Sequence, residues 1–166
     1  HFLKGMPALL FENQGKASFA EASARGGSAF AAPRNARGSG AWDFDNDGRL
    51  DLILTTLAGP AVLLRNVGST PAHRITLQLE GTRSNRDGFG AHVRVTAGGR
   101  ALAAQSRCPT SYIFQQDPRL HFGLGASPAA DRIEIRWPSG QTQTLTNVAA
   151  GQILKITEPG ASRWTP

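Results

Sequence analysis

The sequence predicts an all-β chain, antiparallel and sandwich-like over most of its length. Three observations carry that expectation. Period-two alternation recurs in segment after segment, helical periodicity is weak throughout, and turn signals separate the alternating segments. The 166 residues suffice for one domain, or for a small module joined to a larger one. A hydrophobic share of 40% is enough for a core that needs no staples. The 19 Gly and 10 Pro are spread along the chain, which suits short strands joined by turns.

Taken in order, Leu9-Leu10-Phe11 and Ser18-Phe19-Ala20-Glu21 flank Asn13-Gln14-Gly15-Lys16 and predict a hairpin. Residues 25–40 are rich in Gly, Ala, Ser and Arg and predict a loop with little capacity to pack. Residues 50–56 and 61–66 predict two strands around an Ala58-Gly59-Pro60 turn. The pattern then breaks at Ser-Thr-Pro, and a boundary is expected within 68–73. Beyond it, residues 75–80, 91–96, 133–137 and 152–156 alternate as half-buried strands with one wet face do. Asp87-Gly88, Gly98-Gly99, Pro138-Ser139-Gly140 and Ala150-Gly151 supply the turns between them.

The formal net charge is +6, and the only lysines are Lys4, Lys16 and Lys155, so the basic character is arginine. The arginines are scattered and alternate with apolar residues, as on the wet face of strands. No basic run interleaves with aromatics, so nucleic acid is not the expected partner. The longest apolar stretch, 50–64, is broken by Asp51, Gly59 and Pro60, which excludes a membrane-spanning helix there. Cys108 is the sole cysteine, so no internal disulfide forms, and it is expected to be a small buried hydrophobe. The chain opens on His1, as a processed product or a piece of a longer chain does, and a cleaved export signal is one route to that start.

Few residues suggest catalysis. His1, His73, His92 and His121 lack metal-ligand spacing, and His121 is expected to be packed and hydrogen-bonded. Asp117 and Asp87 read as turn formers, with pairing to Arg83 or Arg86 the alternative for Asp87. Trp137 reads as core, with an exposed sugar-binding platform as its alternative. There is no nucleophile elbow, no phosphate loop and no catalytic carboxylate pair.

One motif is specific. Asp43-Phe44-Asp45-Asn46-Asp47-Gly48-Arg49-Leu50-Asp51 places carboxylates at loop positions one, three, five and nine. Calcium takes six to eight oxygens, and carboxylates at this spacing wrap a hard cation. Gly48 permits the sharp turn, and Arg49 would offer its backbone carbonyl, leaving its side chain unconstrained. Position twelve is Leu54, not Glu, and the flanks Trp42 and Leu52-Ile53-Leu54 look like strands. The expected ligands of Ca2+ are therefore Asp43, Asp45, Asp47, the Arg49 carbonyl and Asp51, in a loop between strands rather than an EF-hand. Magnesium fits less well, since it prefers few protein ligands and several waters. The ion is expected to be structural. The loop takes four of the chain's 12 acidic residues, so the rest of the surface is more basic than the net charge implies.

The stretch from Leu10-Phe11-Glu12-Asn13 through the acidic loop to Leu52 resembles an FG-GAP or VCBS repeat. Such repeats are blades of integrin-like β-propellers that hold calcium in the Asp-rich loop. Gly81-Thr82-Arg83-Ser84-Asn85-Arg86-Asp87-Gly88-Phe89-Gly90-Ala91 resembles the ASPIC/UnbV domain of the cartilage acidic protein-like family. So do Asp117-Pro118-Arg119-Leu120-His121-Phe122-Gly123-Leu124-Gly125, Arg136-Trp137-Pro138-Ser139-Gly140 and Asn147-Val148-Ala149. The resemblance implies a propeller-blade-like calcium-binding repeat over 1–68, a β-sandwich ASPIC/UnbV domain over 69–158 and a tail over 159–166. It also implies an extracytoplasmic location, whether periplasmic, cell-surface or secreted, and it brings no catalytic residues. One repeat cannot close a propeller, and this basic chain departs from the acidity in the family's name. The function expected is a non-catalytic module in a larger envelope or surface assembly, with an acidic protein among its partners. A carbohydrate-binding module and a part of an enzyme are the alternatives.

Overall fold

Alternation in the sequence becomes strand in the computed structural model, which describes residues 5–57, 59–69, 71–107, 111–112 and 114–160. His1, Ala58 and Cys108, which carry expectations above, lie outside them. Strands dominate, and no closed barrel forms among the described residues.

The expected hairpin is β1 (Phe11–Gly15) and β2 (Ser18–Glu21), paired antiparallel. Its turn lies later than expected, at Lys16 and Ala17, whose φ values are 50° and 57°. A tight hairpin of mirror-image type needs positive φ at both central residues, and here non-glycine residues supply it.

The expected loop over 25–40 is a misreading. It holds a 3-10 turn (Ser23–Gly26), a short helical turn (Ser28–Ala31) that buries Phe30, and most of β3 (Ala36–Trp42). Small residues there serve close approach rather than looseness, since a Cβ on Gly40 would run into the Phe114 ring. β3 pairs with β4 (Asp51–Thr56), which pairs with β5 (Val62–Leu64), giving an antiparallel meander.

The remaining strands are β6 (His73–Glu80), β7 (His92–Ala97), β8 (Arg100–Gln105), β9 (Leu120–Gly125), β10 (Ala129–Arg136), β11 (Thr142–Ala149) and β12 (Ile153–Thr157). They form a four-stranded sheet, β11-β10-β7-β8, and a three-stranded sheet, β12-β6-β9. Every pair is antiparallel except β12 with β6, which run parallel. The inward faces of the two sheets share one core. Ile75, Leu77 and Leu79 of β6 meet Val93 and Val95 of β7, Phe122 of β9, and Ile133 and Ile135 of β10. Trp137 belongs to that core. It is 2% exposed and its Nε1–H donates to Gln143 Oε1 at 3.1 Å, so it forms no exposed platform.

Glu158, just past β12, holds the loop after β6. It is 1% exposed, yet its carboxylate is well satisfied. Oε2 accepts the backbone N–H groups of Thr82, Arg83 and Ser84, each at 2.8 Å. Oε1 accepts the Ser84 hydroxyl at 2.9 Å and, at close range, the Ser139 hydroxyl. Burial alone would raise this carboxyl. The Ser139 hydroxyl and the three backbone donors outweigh it and hold the group down to about 2. Asp87 lies in a turn, as expected, and its alternative role is not seen: it makes no ion pair with Arg83 or Arg86 among the described residues.

Candidate metal centre

The acidic loop is the connection between β3 and β4. The antiparallel pairing sets Trp42 opposite Asp51, so the two ends of the loop lie side by side. Asn46 and Gly48 take positive φ, 57° and 80°, and the chain folds back over its own carboxylates. Gly48 is required twice, because a Cβ there would also strike the Arg74 side chain.

The turn brings Asp43, Asp45 and Asp47 together. One carboxylate oxygen from each lies within 4.8 Å of the others. Asp43 is the deepest, 1% exposed. Its Oδ2 accepts the Gly48 N–H at 3.0 Å, but its Oδ1 is buried without a partner. Asp51 is not in this trio. It is 2% exposed, and its oxygens accept the N–H of Asn66 at 2.7 Å and of Phe44 at 3.3 Å, which ties the loop to the end of β5. The side chain of Arg49 is not unconstrained. It pairs with the Asp47 carboxylate and donates to the Asn66 carbonyl at 2.9 Å.

Other arginines crowd the same loop. Arg65 pairs with Asp45 at 2.6 Å. Burial raises the Asp45 carboxyl, but Arg65 and the Asp47 N–H outweigh it and leave the group below its ordinary value. Arg74 donates to the Asp47 carbonyl. Arg119 donates to the Asp43 carbonyl at 2.9 Å and to Asn46 Oδ1 at 2.7 Å.

Arg119 is held in turn by Asp117, and this cluster joins the loop to the two-sheet core. Asp117 is 6% exposed. It pairs with Arg119 at 2.6 Å and with His121 Nε2 at 3.1 Å, while Thr76 Oγ1 lies 3.2 Å from His121 Nδ1. The Asp43 N–H points at Asp117 Oδ2 at 3.4 Å. Burial would raise the Asp117 carboxyl, but His121 and Arg119 together hold it well below the usual carboxylate range. Asp117 does form a local turn, accepting the Arg119 N–H at 3.0 Å, as its position before Pro118 leads one to expect. Its larger role, a bridge to residues 74 positions away, leaves no mark in local spacing. Glu158 escapes sequence reasoning for the same reason: its backbone donors lie some 75 residues earlier.

Much of the core that Asp117 and Glu158 brace falls within a family match. Residues 81–163 fit the model described as ASPIC and UnbV. The chain belongs to the ASPIC/UnbV family. The match takes in the loop around Glu158, the Asp117–Arg119–His121 cluster and strands β7 to β12. The chain is also 32% identical over 129 residues to cartilage acidic protein 1 of Homo sapiens, covering 70% of this chain and 18% of that protein. The same protein of Mus musculus is 30% identical over 132 residues, and that of Xenopus tropicalis 29% over 132. This ASPIC/UnbV chain spans 18–19% of the length of these relatives.

Proposed function

We propose that this ASPIC/UnbV chain is an extracytoplasmic, non-catalytic interaction module whose acidic loop holds a structural calcium ion. The observation that carries the metal is the buried Asp43 Oδ1, which has no partner and stands beside the Asp45 and Asp47 carboxylates. A buried anionic oxygen without a donor is costly, and a hard cation removes the cost. Arg65 and Arg49 already pair with Asp45 and Asp47, but among the described residues Asp43 Oδ1 accepts no hydrogen bond. Asp43, Asp45 and Asp47 would supply side-chain oxygens. Asp51 and the Arg49 carbonyl complete the ligand set by analogy with the FG-GAP or VCBS repeat. An ion there would steady the β3–β4 turn, and through the Asp43 carbonyl and Arg119 it would steady the docking of that turn on the two-sheet core.

The N-terminal part is read as one such repeat in a larger array. The hairpin β1–β2 leaves Phe11 54% and Phe19 60% exposed, an apolar surface that a neighbouring repeat would cover. The non-catalytic reading rests on the site itself, where most of the carboxylate oxygens are engaged by backbone N–H groups and arginines, and on the family resemblance, which brings no catalytic residues. The relatives' name, cartilage acidic protein 1, supports the extracytoplasmic location.

Thermal unfolding with calcium, with magnesium and with chelator tests the metal. Calcium is expected to raise the midpoint of wild type, magnesium to do so less, and Asp45→Ala to remove the response. Equal midpoints for wild type in calcium and in chelator would leave the arginines as the loop's only counterions.

A further inference from the structure

The outward face of the four-stranded sheet carries charge that the fold does not use. Register places Arg94 of β7 opposite Glu134 of β10, Arg136 opposite His92, and Arg132 opposite Thr96. Arg94 thus has two arginines as diagonal neighbours, at the roughly 7–8 Å typical of such positions. On its other side stands Ala103 of β8, whose short side chain leaves the floor low. Arg107, just past β8, joins these residues around a shallow groove of about 750 Å³. Arg132 pairs with Glu134 at 3.0 Å. Among the described residues, Arg94, Arg107 and Arg136 make no ion pair and no side-chain hydrogen bond. Glu134 is taken up by Arg132, so Arg94 and Arg136 add positive charge to this face without adding an ion pair.

The face also restricts its occupant. No Phe, Tyr or Trp lines the groove, so the aromatic platforms on which sugar rings and successive bases stack are lacking there. Glu134 sits at its centre and would repel a uniformly sulfated polymer. A protein segment can set carboxylates on the guanidinium groups and a donor against Glu134. Guanidinium binds carboxylate through two parallel hydrogen bonds, which gives register as well as attraction. We infer that the outward face of β8-β7-β10-β11 docks an acidic segment of a partner protein, with Arg94 and Arg136 as its central contacts. This deepens the interaction-module reading and rests on it, but it does not depend on calcium.

Fluorescence anisotropy of a labelled acidic peptide with glutamates flanking a single lysine, titrated with the full chain in calcium at physiological ionic strength, tests the face. Arg94→Ala/Arg136→Ala is compared with Arg37→Ala/Arg86→Ala, which removes two exposed arginines elsewhere. The face variant is expected to bind about tenfold more weakly, and the control to stay within about twofold of wild type. Equal losses in the two variants, or no binding by wild type, would overturn the assignment. So would tighter binding of a sulfated oligosaccharide of matched charge. The calcium-induced midpoint shift, measured on the same samples, reports the acidic loop separately. A peptide failure with that shift intact removes only the face.

Discussion

Replacing Glu158 by Gln keeps the side chain's shape and removes its charge. The group falls from an ordinary value of 4.5 to about 2 on folding. Its ionised form therefore contributes about 3 kcal/mol to stability at neutral pH. Because the folded value is depressed, that contribution is complete above the unfolded value and fades as pH falls through the folded one. By about pH 3 roughly 2 kcal/mol of it is gone. Glu158→Gln is thus expected to lower unfolding free energy by about 3 kcal/mol near pH 7, with the gap shrinking to about 1 kcal/mol near pH 3. The cause is that a neutral amide oxygen accepts the three backbone N–H bonds more weakly than a carboxylate does, while the amide NH2 meets the Ser84 and Ser139 hydroxyls that had donated to Oε1. Urea unfolding followed by tryptophan fluorescence, in calcium, reads both values. A gap below about 1 kcal/mol at neutral pH would refute the reasoning, as would one of equal size in acid.

Trp137→Ala should cost about 3–5 kcal/mol, read as a fall in denaturation midpoint, because the indole fills the core and its N–H is satisfied by Gln143. Gly40→Ala should cost about 1–3 kcal/mol by forcing β3 off the Phe114 ring, and Phe114→Ala in the same chain should recover part of it in a double-mutant cycle. Arg119→Ala should destabilise by about 3 kcal/mol near neutral pH by stranding the buried Asp117 carboxylate. Asp117 is depressed from 3.8 on folding, so its contribution in wild type is present above that value and lost as pH falls well below it. The Arg119→Ala deficit should therefore narrow in acid, as urea unfolding across pH will show.

What the sequence made legible was whatever repeats locally. Ile75, Leu77 and Leu79 alternate with polar residues, and β6 follows. Asp43, Asp45 and Asp47 sit two apart around Gly48, and the turn that brings them together follows. β8 was not legible because Arg100-Ala-Leu-Ala-Ala-Gln has too little contrast between its faces, and β11 because threonine, glutamine and asparagine fill most of its positions. The small residues of β3 read as loop, since nothing local announces that Phe114 will lie against Gly40. The contacts that join the acidic loop to the two-sheet core, Arg119 on Asp43 and Asp117 behind it, depend on the fold closing first.

The position of β6 sets the order in which the chain becomes secure during synthesis. It is the first strand of the two-sheet unit, yet its partners are β9 and β12. Residues 81–119 must leave the ribosome before β9 begins, and β12 arrives only at Ile153. The hairpins β7–β8 and β10–β11 can form as they emerge, because each joins neighbours in sequence. Until its partners appear, the nascent β6 holds Ile75, Leu77 and Leu79 with no sheet to receive them. A product truncated before β12 would expose one flank of β6 permanently, with its backbone donors and acceptors open to another copy. Stalled or clipped chains of this protein should therefore aggregate rather than persist as shortened folds.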